Sequence, residues 1–216
     1  MSFIHLFFDL DGTLVDSKRG IFNAVNYTLD QMKVNPAERP SDLSPFIGPP
    51  LRESFKELFN FSAETAEAAT AIYREYYGRK GLFEYDIIPG IDKAIPSLAK
   101  TGVSMYVVTS KAEEYAARIV KSLPFGNYFK TVTGCEIDGR RSSKYELIMH
   151  TIEKFNLKPS KEIIMIGDRY HDIRGAKLAG IPSAAVLYGY GTREELLNES
   201  ATVYLETPDE LISLIR

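Results

Sequence analysis

The chain has 216 residues, of which 44% are hydrophobic and 25% charged, and a net charge of −3. Those fractions are ordinary for a globular protein and exclude collagen, coiled coil and wholesale disorder. The length fits one compact domain with an insertion, or one domain plus a small second one. The near balance of 26 basic and 29 acidic residues offers no footprint for nucleic acid or an anionic membrane as partner.

Cys135 is the single cysteine, so an internal disulfide is excluded and a reducing compartment is expected. The chain starts with a short apolar run, Phe3-Ile4-His5-Leu6-Phe7-Phe8, ending at Asp9. Its length fits a strand buried on both faces of a parallel sheet. It is too short and too soon charged for a signal peptide or a membrane-spanning helix. A cytoplasmic location is the expectation.

From residue 17 to 85 no strand pattern is found. Helices are predicted over 21–32, 51–59 and 63–77, with Pro36, Pro40, Pro45, Pro49 and Pro50 in the loops between them. Strand and helix then alternate. A helix over 91–100 stops at Thr101-Gly102, and a strand over 103–108 leads into Thr109-Ser110-Lys111. A helix follows over 112–122, then a weaker strand over 130–133 and a helix over 144–155. A strand over 163–166 ends in Gly167-Asp168, and a helix over 172–179 ends at Gly180. A strand over 183–187, an edge strand over 202–205 and a helix over 208–215 complete the chain. Alternation of this kind implies βαβ units and a doubly wound parallel sheet. The expected organisation is an α/β core from residues 1–16 and 86–216, with a helical domain at 17–85. Both ends of the insertion lie at the C-terminal end of the first strand, where ligands bind in open α/β sheets. The insertion is therefore expected to cover the site, hinged near residues 15–17 and 85–89.

The chemistry gathers at predicted strand ends. Asp9 and Asp11 stand in Asp9-Leu10-Asp11-Gly12-Thr13. Carboxylates at the end of a buried strand are costly and disfavour each other's ionised form. A divalent cation resolves that conflict, and carboxylates with backbone carbonyl oxygen are what Mg²⁺ prefers. Asp168 adds a third carboxylate at a strand end, and Asp172 opens the following helix as either a further acid of the site or a simple N-cap. Thr109 and Ser110 lead into a helix whose N-terminus would present N–H groups to a phosphate; taken without the other motifs, an ordinary N-cap is the favoured reading. Lys144 opens a helix after Gly139-Arg140-Arg141-Ser142-Ser143, and on spacing alone Arg140 or Arg141 serves as well as the functional cation. His5, His150 and His171 have no metal-ligand spacing.

These residues resemble the motifs of the haloacid dehalogenase-like superfamily of phosphohydrolases, in order and across the whole chain. Asp9-Leu10-Asp11-Gly12-Thr13 and Gly167-Asp168 with Asp172 are the specific ones; the strand ending in Thr109, and Lys144, gain weight from their position. The helical insertion before the second motif looks like the C1-capped subgroup with a Rossmann-like core. Ile47-Gly48-Pro49-Pro50-Leu51 and Val107-Val108-Thr109-Ser110-Lys111 look most like phosphoglycolate phosphatase-type enzymes. The resemblance implies that Asp9 is the nucleophile forming an aspartyl-phosphate and Asp11 the general acid and base. It implies Mg²⁺ held by Asp9, the Asp11 carbonyl and Asp168, with Asp172 in support. Thr109 and Ser110 would grip the phosphoryl oxygens, and Lys144 would offset their charge. Gly48, Pro49, Pro50 and Arg52 are the candidates on the cap side; a helix start fits Pro49-Pro50 as well, and a solvated position fits Arg52.

The implied reaction is Mg²⁺-dependent hydrolysis of a small phosphorylated metabolite by a monomer or homodimer. The second acid, Asp11, favours phosphoryl over halide chemistry, since a departing halide needs no proton. Lys144 is followed by Tyr145 where phosphoglycolate-type enzymes have proline, which points toward nucleotidases or general phosphatases. A β-phosphoglucomutase-like phosphomutase is the remaining enzyme alternative. Phosphonate hydrolysis has no matching cap lysine among Lys18, Lys33, Lys56 and Lys80. A binding module that has lost catalysis is disfavoured, because every catalytic position is filled.

Overall fold

A computed structural model describes residues 3–49, 51–136 and 140–215. Pro50 and Gly139, both named above, lie outside them. The chain divides into two compact units, Met1–Asp16 with Ile87–Arg216, and Ser17–Asp86.

The first unit is built on a six-stranded sheet with every pairing parallel. In chain order its strands are β1 (His5–Phe8), β4 (Ser104–Ala112), β5 (Phe129–Cys135), β6 (Ile163–Gly167), β7 (Ser183–Val186) and β8 (Val203–Leu205). Two short strands, β2 (Val15–Asp16) and β3 (Asp86–Ile87), pair separately. The spatial order β5-β4-β1-β6-β7-β8 puts β1 at the centre. From β1 the chain builds outward to one side through β4 and β5, then returns to β6 on the other. That reversal is a topological switch point, where the C-terminal strand ends diverge and leave a crevice.

The apolar runs pair in the sheet for a simple reason. Leu6, Phe7 and Phe8 have no exposed surface, and neither do Val107, Val108 and Ile164. Each large side chain so buried contributes about 1.5–3 kcal/mol. Alternation sends Phe7, Tyr106, Val108, Ile163 and Met165 to one face, against Leu147, Ile148 and Ile152 of α6 (Lys144–Lys154) and Ala176 of α7 (Tyr170–Leu178). Phe7 meets Tyr106 edge to face with centroids 5.1 Å apart.

The second unit holds α1 (Lys18–Gln31), α2 (Leu51–Phe59) and α3 (Ala63–Arg79), with short 3-10 turns between them. Aromatic rings make its core: Phe46 and Phe55 at 4.9 Å, Phe59 and Phe61 at 5.4 Å, Tyr27 and Tyr76 at 4.9 Å. The Ser62 hydroxyl caps α3 by accepting from the Thr65 N–H at 3.1 Å.

The structure departs from the sequence reading at several places. β4 does not end at residue 108 but runs on to Ala112, where it pairs with Cys135 after a shift of register. The next helix, α5 (Glu113–Ser122), therefore starts later, so Thr109 and Ser110 lie within a strand rather than at a helix N-terminus. The apolar run and the pairing to β5 outweigh the capping signal. α1 begins at Lys18 rather than residue 21. Residues Pro208–Ile215 form 3-10 rather than α-helix. α7 starts at Tyr170, which makes Asp172 its third residue rather than its cap. Among the described residues, no helix is long and apolar enough to cross a membrane.

Candidate active site

Asp9 is the first residue beyond β1, and its N–H donates to the Ile166 carbonyl at 2.8 Å. That bond holds the end of β1 beside the end of β6 and brings Asp9 toward Asp168. The chain then turns sharply. Leu10 O accepts from the N–H groups of Leu14 and Val15 at 2.9 and 3.1 Å, and Gly12 N–H donates to Val15 O at 2.8 Å. Gly12 sits at φ +82°, and a Cβ there would collide with the Asp168 carboxylate. Glycine is therefore required twice over, by the backbone and by the approach of Asp168. A Cβ on Gly167 would likewise collide with the Asp172 carboxylate.

Asp9, Asp168 and Asp172 each offer an oxygen, and these atoms lie within 4.8 Å of one another. Asp168 is fully buried. Its two oxygens accept from the Thr13 hydroxyl at 3.2 Å and the Tyr190 N–H at 2.7 Å. Asp172 accepts from the Arg169 N–H at 3.1 Å through Oδ2.

Lys144 supplies the balancing charge. Its side chain is 2% exposed, and its ammonium lies 2.8 Å from Asp172 Oδ1, 3.0 Å from Asp9 Oδ1 and 3.0 Å from the Val108 carbonyl oxygen. Three partners match the three protons of an ammonium. Burial opposes that charge, but the Asp172 and Asp9 carboxylates more than offset it and hold the group above the usual lysine value. This separates Lys144 from its neighbours. Arg140 pairs with Glu136, and Arg141 lies against His150 at 2.9 Å and Glu113 at 3.5 Å.

One ammonium does not neutralise three carboxylates, of which Asp168 and Asp172 are buried and Asp9 is 13% exposed. Burial, chiefly, raises Asp9 to about 6 against the pull of Lys144. Burial, followed by the charges of Asp9 and Asp172, pushes Asp168 well above the ordinary carboxylate value. Among the described residues, the buried Oδ1 atoms of Asp9 and Asp172 have no hydrogen-bond donor apart from the Lys144 contact. A buried all-oxygen set with excess negative charge and unsaturated oxygens fits a hard divalent cation.

Asp11 lies outside this cluster, 19% exposed, with Lys111 Nζ 2.7 Å from its Oδ2. Thr109 is buried, and its Oγ1 accepts from the Lys111 N–H at 3.2 Å. Ser110 is exposed. Gly48 and Arg52 belong to the helical unit. Gly48 sits at φ +104°, and Arg52 lies 3.6 Å from Glu67 with half its side chain in solvent.

Sequence reasoning missed Lys111 and Tyr190 as parts of the site. Lys111 is two positions beyond Thr109, the spacing of one strand face, but that signal needs β4 to continue past residue 108. Tyr190 acts through its backbone N–H, and no side-chain pattern reports that.

Comparison with known proteins points to one family. The profile of haloacid dehalogenase-like hydrolases matches residues 6–186. A 5'-nucleotidase of Pseudomonas aeruginosa is 36% identical, covering 93% of this chain and 90% of its own length. The tyrosine-protein kinase PtkA of Mycobacterium tuberculosis is 34% identical over 94% of this chain and 69% of its own. The structure of a predicted phosphatase from Clostridium acetobutylicum superposes with a TM-score of 0.87 at 38% identity, covering 99% of this chain and 98% of that one. Fold, family profile and relatives agree: the chain belongs to the haloacid dehalogenase-like hydrolase family and is an enzyme of its phosphatase type.

Proposed function

We propose that the protein is a Mg²⁺-dependent phosphomonoesterase of small metabolites, acting through an aspartyl-phosphate on Asp9. The observation that carries this reading is the surroundings of Asp9. It has the buried Lys144 ammonium 3.0 Å away, two further carboxylates close by, and a second acid, Asp11, two residues on. Asp9, the Asp11 carbonyl and Asp168 would hold the cation, with Asp172 in support. When bound, the cation would balance the carboxylates and favour the ionised form of Asp9.

The rest falls to the chain's own residues. An Asp9 oxygen attacks phosphorus as the bond to the leaving oxygen breaks, and Asp11 gives that oxygen its proton. Asp11, now a carboxylate, takes a proton from the water that attacks phosphorus, and the Asp9–phosphate bond breaks to release phosphate. Lys144 offsets charge on Asp9 and on the phosphoryl oxygens, while the Thr109 hydroxyl and the Ser110 N–H donate to those oxygens. Phosphoryl transfer relies on this positioning and charge balance.

A nucleoside monophosphate is the favoured substrate class. The reasons are the nucleotidase relative at 36% identity and the absence of proline after Lys144. The test is phosphate release from nucleoside monophosphates, 2-phosphoglycolate, sugar phosphates and p-nitrophenyl phosphate, with Mg²⁺ or with chelator, beside an Asp9→Asn sample. Mg²⁺-dependent release that the variant loses, fastest with a nucleotide, is the expected result. Conversion of a hexose 1-phosphate to the 6-phosphate without free phosphate would replace hydrolase by mutase.

A further inference from the structure

We propose that Glu195 is a positioning residue for the acid centre, setting the affinity of Asp168 and Asp172 for a divalent cation. This rests on the metal-dependent reading above.

The segment from Asp168 to Asp172 carries two of the three clustered carboxylates, one at each end. Between them Arg169 is extended, at φ −126° and ψ 157°, and α7 starts at Tyr170. Two carboxylates stay in register only if this turn is held. Glu195, on α8 (Arg193–Asn198), holds it from outside the cluster. One oxygen, Oε1, accepts from Arg169 Nε and from the Tyr170 N–H, both at 2.9 Å. The second of these is a free N–H of the first helical turn, so Glu195 caps α7 from a different helix.

The anchor is itself fixed. The Glu195 N–H donates to Thr192 Oγ1 at 3.1 Å, which caps α8. Two residues before Thr192, the Tyr190 N–H donates to Asp168 Oδ2 at 2.7 Å. The path therefore closes: Asp168 to Arg169 and Tyr170, across to Glu195, back through Thr192 to Tyr190, and to Asp168 again. Glu195 is the side chain that closes it between the β6–α7 turn and the β7–α8 loop. It is half-buried, 23% exposed, as is Arg169 at 28%. Removing it opens that path and leaves the Tyr190 N–H bond to Asp168 and the Arg174–Glu199 pair as ties between the turn and the segment that follows β7. Supporting groups of this kind typically change metal affinity by about 10–100-fold.

A second bridge between the same helices supplies the control. Arg174 of α7 pairs with Glu199, the residue just past α8, through two bonds of 2.9 and 2.6 Å; Arg174 is 60% exposed, and its guanidinium lies 4.7 Å from the centroid of the Tyr170 ring. It fastens the end of α8 to α7 and reaches the segment from residue 168 to 172 at the Tyr170 ring, with no hydrogen bond to that segment's backbone or to either carboxylate among the described residues.

The experiment measures binding of Mn²⁺, as a paramagnetic stand-in for Mg²⁺, by the full chain without substrate, together with thermal unfolding. The samples are native protein, Glu195→Ala, Glu195→Gln and Arg174→Ala. Glu195→Ala is expected to weaken Mn²⁺ binding about tenfold, and Glu195→Gln, which keeps an acceptor oxygen, to restore most of it. Arg174→Ala is expected to lower the unfolding temperature while leaving Mn²⁺ affinity native. Equal losses of affinity in Glu195→Ala and Arg174→Ala would reduce Glu195 to helix docking and overturn the proposal. Native affinity in Glu195→Ala would overturn it as well, with the metal-dependent reading intact. Failure of the native protein itself to bind Mn²⁺ or Mg²⁺ would overturn both.

Discussion

The two units use charge in opposite ways. In the α/β unit, Lys144, Asp9, Asp168 and Asp172 are withdrawn from water and depend on one another. Among the described residues, every ion pair of the helical unit keeps at least one partner half or more in solvent: Arg52 with Glu67 is 48% and 60% exposed, Arg79 with Glu75 80% and 55%, and Arg39 with Asp30 21% and 64%. Exposed pairs are worth at most about 1 kcal/mol, whereas removing one partner of a buried pair costs about 3–5 kcal/mol. The helical unit is held by its aromatic rings, and the α/β unit spends stability on a charged centre that only chemistry rewards. Position, not residue type, decides which charges matter.

Four substitutions test this contrast, from the largest effect to the smallest. Asp9→Asn keeps the shape of the site but removes the proposed nucleophile, so turnover should fall on the order of 10³-fold or more; steady-state phosphate release measures it. Retained turnover would move the nucleophile elsewhere. Lys144→Met leaves the Asp9 and Asp172 oxygens buried without their cation. It should destabilise the protein by about 3–5 kcal/mol in urea denaturation, and added Mg²⁺ should return part of that loss.

Phe55→Ala would empty the centre of the ring cluster in the helical unit, where Phe55 is fully buried. The cost should be about 3 kcal/mol or somewhat more. Mn²⁺ affinity should stay native, since no residue of the acid centre belongs to that unit. Arg52→Ala should change stability by less than about 1 kcal/mol. Its KM for phosphate esters is the more telling quantity. A rise in KM with unchanged kcat would assign Arg52 to substrate, and no change would leave it a surface residue paired with Glu67.

Much of the site was legible in the chain. Apolar runs that stop at Asp9 and Asp168 carry their own meaning, because a buried strand cannot end in a carboxylate without compensation. Lys144 was legible only as one of three basic residues near the start of a helix. Burial singles it out, since Arg140 and Arg141 find partners among surface glutamates instead. Thr109 was placed at a helix start because Thr-Ser is a capping signal. Pairing with β5 carried the strand on to Ala112, a tertiary effect that local pattern does not encode.

By itself, the sequence determined the alternation of strand and helix, the all-helical stretch after the first strand, and the acids at strand ends. These follow from local periodicity and from the cost of charge beside buried apolar residues. The tertiary structure alone decided which cation faces those acids, that Lys111 meets Asp11, and that Tyr190 and Glu195 brace the turn carrying Asp168. Those partners stand 100 residues from Asp11 to Lys111, 22 from Asp168 to Tyr190 and 26 from Arg169 to Glu195. Tyr190, and Tyr170 beside Arg169, act through backbone N–H groups that every residue but proline possesses. Only the folded arrangement can say which of those groups points at a carboxylate.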